Sequence, residues 1–289
     1  MDSRRFHGPI DLHAHSSVSD GTETPGELVQ AAAAAGLGTI ALTDHDSTAG
    51  WAAAASAART AGVTLIPGME LSTRLQHSSV HLLAYLFDPA DPALLAETTR
   101  IRDARMSRAE EIVEHIGRDY ALSWDDVLAQ STEGATIGRP HIADALVARG
   151  HEPNRSAAFE GILHWRSGYV KPHYAPDPVT GVRLVRAAGG VPVLAHPGTR
   201  GAMNVLSESE LKRLVEAGLF GLEIEHRENL SDAKERLRVL ADRFGLAVTG
   251  SSDYHGAGKP NRLGENTTAP EVLEALIAEA RGSEPVYAG

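Results

Sequence analysis

Short apolar runs alternate along this chain with amphipathic or alanine-rich stretches, and most of the apolar runs end in polar residues. Pro9-Ile10-Asp11-Leu12 is too short for a helix and is followed by Ser, Asp and Gly, so it reads as a buried strand opening into a loop. Thr24-Pro25-Gly26-Glu27 combines a capping threonine, a first-turn proline and the glutamate of a capping box, which predicts a helix through the alanines to Gly36. Residues 39–42, 63–66 and 80–86 read as the next three strands, and Ser47 is expected to cap a helix that runs to Gly62. Strands and helices joined by short connections predict a parallel sheet with right-handed crossovers.

Over residues 93–171 the strands disappear. Ile101, Ala104, Arg105, Ala109, Ile112, Val113 and Ile116 keep a helical period, and shorter helices are predicted around 124–130, 139–148 and 155–163. This segment reads as a helical insertion covering the rim of the sheet. The alternation then returns: strands over 191–195, 221–225 and 246–249, with helices beginning near 177, 207, 231 and 270. Seven core strands result.

Parallel α/β proteins keep their sites at the C-terminal ends of the strands. Here those ends carry His13-Ala14-His15, Asp20-Gly21, Thr43-Asp44-His45-Asp46, Gly68-Met69-Glu70, His196-Pro197 and Ser252-Asp253-Tyr254-His255. Residues i and i+2 of a strand share a face, so His13 and His15 can reach one cation together. Taken alone, the pair reads equally well as two hydrogen-bonded structural histidines. With the other ends included, His13, His15, Asp20, His45, Glu70, His81, His196, Asp253 and His255 make nine candidate ligands, of which only His81 lies within a strand. Nine exceeds one tetrahedral ion and suits two or three divalent cations sharing a carboxylate. An all-nitrogen-and-oxygen donor set favours zinc, manganese or iron. Clustered cations of this kind point to metal-assisted hydrolysis, most plausibly of a phosphate ester.

Composition narrows the chemistry. The 289 residues contain no cysteine, which excludes disulfides, thiolate nucleophiles and thiolate zinc sites. A formal net charge of −11 argues against binding long duplex nucleic acid while leaving room for a local basic site. Gly138-Arg139-Pro140-His141 and the run from Trp165-Arg166 to Tyr169-Val170-Lys171 put basic and aromatic residues in the insertion, suited to a phosphate and a ring. Residues 1–6 lack an apolar signal region and no run approaches the roughly 18 apolar residues of a membrane span, so a cytoplasmic protein without membrane partners is expected.

Taken in order, the motifs at the strand ends resemble those of the PHP (polymerase and histidinol phosphatase) family. The resemblance implies a distorted seven-stranded (β/α) barrel with an inserted helical subdomain, divided as 8–92 and 173–289 for the barrel and 93–172 for the insertion. It implies a trinuclear site: one ion on His13, His15, Glu70 and Asp253, a second on Glu70, His81 and His196, a third on Asp20, His45 and His255. The insertion with its Gly-Arg-Pro-His run resembles the subfamily of standalone nucleotide phosphoesterases. That implies removal of the 3′-phosphate from 3′,5′-nucleoside bisphosphates by metal-activated hydroxide, with short 5′-phosphorylated oligonucleotides as related substrates. Arg139, His141, Lys171 and Arg200 are the expected phosphate contacts, with Arg139 stabilising charge and His141 a candidate acid. A histidinol-phosphate phosphatase and a non-catalytic regulatory PHP domain are the alternatives. Asp44 and Asp46 are expected to orient imidazoles. Asp11 is read either in that role or as a buried, hydrogen-bonded carboxylate. His7, His77, His115, His151, His164, His173 and His226 are assigned to surface or structure.

Overall fold

Seven strands join in chain order into one nearly closed, barrel-like sheet: β1 (Ile10–Asp11), β2 (Thr39–Leu42), β3 (Thr64–Leu75), β4 (Ser78–Tyr85), β5 (Val191–Leu194), β6 (Gly221–Glu225) and β7 (Ala247–Gly250). The computed structural model describes residues 8–132, 134–203 and 205–289, apart from the Arg200 side chain. The first and last strands meet where Ala14 bridges Tyr254 in parallel, with His15 N–H donating to the Tyr254 carbonyl (2.8 Å) and Asp253 N–H to that of His13 (2.9 Å). The helices are α1 (Pro25–Ala34), α2 (Trp51–Ala61), α3 (Pro92–Ile116), α4 (Trp124–Leu128), α5 (Arg139–Ala148), α6 (Arg155–Glu160), α7 (Pro178–Ala187), α8 (Arg200–Met203), α9 (Glu208–Ala217), α10 (Ser231–Phe244) and α11 (Pro270–Glu279).

The expectation of a wholly parallel sheet fails at β4, which is antiparallel to both β3 and β5. The cause is length. Only Gln76 and His77 separate β3 from β4, whereas a parallel neighbour needs a crossover of roughly a dozen residues. Gln76 takes the left-handed conformation (φ +55°) that reverses the chain. β3 is also longer than the apolar run alone suggests. Its first part pairs with β2 and its remainder with β4, so Glu70 lies inside a strand rather than beyond one.

α1 forms the predicted capping box between Thr24 and Glu27. α2 starts later than expected, at Trp51 behind Gly50, because the Ser47 hydroxyl accepts from Ala49 N–H in a preceding turn. α3 bridges two cores. Leu94 and Ile101 join the barrel cluster with Leu82, Val182, Leu194 and Leu222. Ile112 and Ile116, two turns or more further on, join the insertion's own cluster with Ile142, Leu146 and Leu163. Each such fully buried leucine or isoleucine contributes about 1.5–3 kcal/mol, so both clusters are substantial. The insertion is also tied to the loop after β1: Thr136 N–H donates to the Val18 carbonyl (2.9 Å) and Arg155 Nη1 to that of Asp20 (3.1 Å).

Candidate metal centre

Past β1 the chain stays extended and paired with residues 252–254, so His13 and His15 project to one side, both fully buried. The Asp11 carboxylate accepts N–H bonds from Ser252 (3.0 Å) and Gly264 (2.9 Å), and burial raises its pKa. It is the buried, hydrogen-bonded carboxylate of the two readings, pinning β1 to the loop after β7. Asp253, on that loop, is left-handed (φ +54°), as are Asp46 (φ +53°) and His196 (φ +31°). Backbone held in that region away from glycine clusters at functional sites.

Four donor atoms converge at the centre. His13 Nε2 and His15 Nε2 are 3.0 Å apart; each lies 3.2–3.4 Å from Glu70 Oε2 and 3.3–3.4 Å from Asp253 Oδ1. A regular tetrahedron with edges of about 3.3 Å has its centre about 2.0 Å from every corner, the length of a Zn–N or Zn–O bond. The residues therefore fit a divalent ion in distance, number and donor chemistry.

Glu70 offers its other oxygen elsewhere. Oε1 lies 2.7 Å from His81 Nδ1 and 3.1 Å from His196 Nε2, while Oε2 also lies 3.3 Å from His45 Nδ1. A further group forms around Asp20, whose Oδ1 is 3.2 Å from His255 Nε2 and 3.6 Å from His15 Nδ1. His45 stands between the groups, with Nε2 3.8 Å from Asp20 Oδ2, and its buried Nδ1 has no hydrogen-bond partner. All nine residues are thus brought together, and three sets of one-atom donors within 4.8 Å can be drawn from them: His13–His15–Glu70–Asp253, His15–Asp20–His255 and His45–Glu70–His81. The loop that delivers Asp20 depends on Gly21, since a Cβ there would stand 2.4 Å from the His15 carbonyl oxygen.

The electrostatics are those of a cation site. Burial works against ionising Asp20, Glu70 and Asp253, yet the surrounding imidazoles, and Lys259 at Asp253, hold all three well below the usual carboxylate range. Burial likewise opposes charge on His13 and His15, but Glu223, Asp253 and Glu70 raise the first well above normal, and Asp253, Glu70 and Asp20 raise the second to about 9. Protons here occupy the place that metal ions compete for.

Two residues in this centre escape sequence reasoning. Glu223, fully buried on β6, sets Oε1 3.0 Å from His13 Nδ1 and accepts the His196 N–H on Oε2 (2.9 Å). Burial disfavours its charge, but His13 and its neighbours lower its pKa to about 2, so it is a carboxylate that fixes the His13 tautomer and leaves Nε2 free to coordinate. Its signal was a glutamate between Leu222 and Ile224 in a buried strand. His226, assigned above to surface or structure, is fully buried beside it. Its Nδ1 accepts from Glu228 N–H (3.1 Å), which directs a protonated Nε2 toward Asp253 Oδ2 at 3.5 Å. Asp44 and Asp46 do not orient imidazoles directly. Asp44 holds Ser16 and Ser19, and Asp46 accepts from the Ser72 N–H and hydroxyl and pairs with Arg105 Nε (2.9 Å).

The rim opens into a cleft of about 930 Å³ whose walls include Asp20, His45, His81 and His255 on one side and residues of the insertion on the other. Arg139 and Lys171 line it. Arg139 stacks over Phe159 (5.3 Å), and Lys171 lies 3.5 Å from Glu111. His141 is buried, and its Nδ1 accepts the Gly138 N–H that starts α5. Arg200 begins α8, and its side chain lies outside the described residues, as does His7. Trp165 also lines the cleft and is 66% exposed, with the Arg166 guanidinium 4.4 Å from its ring.

The PHP domain profile matches residues 11–134. A 3′,5′-nucleoside bisphosphate phosphatase of Chromobacterium violaceum is 33% identical over 273 residues, spanning 93% of this chain and 95% of that protein. A 5′-3′ exoribonuclease of Haemophilus influenzae is 33% identical over 274 residues, spanning 92% and 96%. Among solved structures, a Bifidobacterium adolescentis protein described as a metal-dependent phosphoesterase superposes with a TM-score of 0.92 at 42% identity, over 95% of this chain and 97% of its own.

Proposed function

The chain belongs to the PHP-domain family of metal-dependent phosphoesterases, and from that premise we propose that it removes the 3′-phosphate from 3′,5′-nucleoside bisphosphates in the cytoplasm, using two or three divalent ions drawn from manganese, zinc and iron. The observation that carries the reading is the four-atom tetrahedron of His13, His15, Glu70 and Asp253, joined through Glu70 to His81 and His196. Bound there, divalent ions supply Lewis acidity to phosphoryl oxygens and lower the pKa of coordinated water. Every other contribution belongs to the chain. Glu70 and Asp20 set the spacing between groups. Glu223 holds His13 in register. The cleft beside the rim receives the nucleotide, Arg139 stands over it as a charge stabiliser, and Trp165 offers a face for the base. The helical segment 93–172 acts as the inserted unit that shapes this cleft.

A second reading, stepwise hydrolysis of short 5′-phosphorylated RNA, is favoured by the size of the cleft and by the name of the Haemophilus relative. The deciding test is phosphate release from adenosine 3′,5′-bisphosphate with manganese, beside 5′-AMP, 3′-AMP, histidinol phosphate and a short 5′-phosphorylated RNA, each repeated after chelation. Metal-dependent release from the bisphosphate with AMP as product is expected. Turnover of the RNA with the bisphosphate untouched would replace this reading with the second, and turnover of histidinol phosphate alone would overturn both.

A further inference from the structure

The nine rim ligands are not all held in the same way. Among the described residues His13, His15, Glu70, His81, His196 and Asp253 take their hydrogen-bond and ion-pair partners from outside the helical insertion. Asp20, His45 and His255 instead sit on backbone that the insertion grips. In the loop carrying Asp20, three carbonyls accept from it: Ser17 from Thr132 Oγ1 (2.7 Å), Val18 from Thr136 N–H (2.9 Å) and Asp20 from Arg155 Nη1 (3.1 Å). Next to His45, the Asp46 carbonyl accepts from Arg102 Nη1 (2.6 Å) and its carboxylate pairs with Arg105 Nε (2.9 Å). Close to His255, the Arg155 guanidinium lies against Gly258, whose N–H donates to the His255 carbonyl (3.2 Å). Arg155 thus touches two of the three loops at once.

Its own orientation is fixed. Nε donates to Asp144 Oδ1 (2.8 Å) and Nη2 to Asp144 Oδ2, a two-pronged pair that anchors one edge of the guanidinium to α5 and leaves Nη1 aimed at the Asp20 carbonyl. Gly258 makes the room: a Cβ there would overlap Nη1 and stand 2.8 Å from Cζ. That glycine is not left-handed, so it is needed for space and not for conformation. The two gripped loops also meet each other, through Thr22 N–H and the His255 carbonyl (3.2 Å), and their ligands face across 3.2 Å from Asp20 Oδ1 to His255 Nε2. We infer that Arg155, oriented by Asp144, is a positioning residue that clamps the Asp20 and His255 loops together. The group of Asp20, His45 and His255 is then assembled by the insertion, and the other rim ligands by the barrel. This rests on the reading that those three residues hold a third ion.

The test counts ions. Metal-stripped protein is dialysed against graded free manganese, and bound metal is measured by elemental analysis. Wild type is expected to take up three ions. Arg155→Gln should weaken the uptake of one of them roughly tenfold or more, the value of a charge-assisted hydrogen bond, and leave the other two where they were. Asp20→Asn, which removes a ligand of that group directly, should lose the same ion, and adding Arg155→Gln to it should change nothing further. Gly258→Ala attacks the clamp from the other side, because its methyl displaces the end of the arginine side chain, and should reproduce Arg155→Gln. Arg155→Lys keeps the charge but cannot fork Asp144 and reach the carbonyl together, so it should fall between. Arg118→Gln, on the surface beside Glu114, serves as the control and should leave uptake unchanged. Thermal midpoints monitor folding. Should Arg155→Gln unfold, Gly258→Ala and Asp144→Asn, which releases the fork, decide the matter in its place. Uptake of all three ions at wild-type affinity by the folded variants overturns the clamp. So does an equal weakening of every ion, which is what a general loosening of the fold would give. A wild type that never takes up a third ion overturns the three-ion reading, and the clamp falls with it.

Discussion

The two walls of the cleft solve opposite problems. On the rim, carboxylates and imidazoles are crowded but matched, so each buried charge faces one of the other sign: Glu70 alone lies within 3.4 Å of His13, His15, His45, His81 and His196. On the facing wall, Arg74, Arg108 and Arg139 are crowded and unmatched. A matched cluster holds itself together and exchanges protons for metal. An unmatched one carries a standing electrostatic cost. The difference teaches that one cleft brings together two walls of opposite charge, so substituting one should leave the other's electrostatics largely in place.

The largest expected effect breaks the rim at its hub. Glu70→Gln removes the charge that several imidazoles share and should reduce phosphate release to the level of the chelated wild type, with metal content by elemental analysis falling in parallel. Full metal content with activity retained would show that Glu70 is not the hub of the rim.

The contrast also governs what could be read from the chain. The rim was legible because most of its candidate ligands sit at or near the ends of apolar runs, and His13-Ala14-His15 brings a pair together by strand geometry alone. The opposite wall was scarcely legible. Arg74 comes from a hairpin strand, Arg108 from mid-α3, Arg139 from the start of α5 and His173 from an irregular segment, so no spacing in the sequence relates them. Arg139 drew attention only through its neighbours. The antiparallel β4 was hidden because the apolar run at 63–66 stops well short of the end of β3 at Leu75, so the two-residue connection to β4 does not show in the sequence. Glu223 and His226 escaped because a single carboxylate inside an apolar strand has no partner in sequence; His13 lies 210 residues away.

A smaller effect sharpens the account of the rim. Glu223→Gln keeps the shape and the acceptor at His13 but removes a buried negative charge. Metal affinity, measured by competition with a chromophoric chelator, should fall by about 10–100-fold, the range for carboxylates that orient metal-bound histidines. Unchanged affinity with a lower melting temperature would reduce Glu223 to a packing role.

The smallest effect concerns pH in the metal-free protein, where the matching on the rim is between protons rather than metals. His13, His15 and His196 have raised pKa values in the folded state, so their stabilisation is complete below the unfolded value near 6.5 and is lost as pH rises through the folded values, about 9 for His15. Asp20, Glu70, Asp253 and Glu223 are depressed, so theirs is present above pH ~4 and lost as acid is added. Burial lowers His45 and His255, which adds a further loss of stability below pH ~6.5. The chelated protein should therefore melt highest near pH 6.5 and several degrees lower by pH 9. Added metal should reverse the alkaline limb, because ions displace the same protons more easily as pH rises. Melting curves with and without chelator would thus diverge between those two pH values. A chelated protein whose midpoint stayed flat from pH 6.5 to 9 would mean that His13 and His15 are not proton-matched to their carboxylates, and the rim would lose its distinction from the wall it faces.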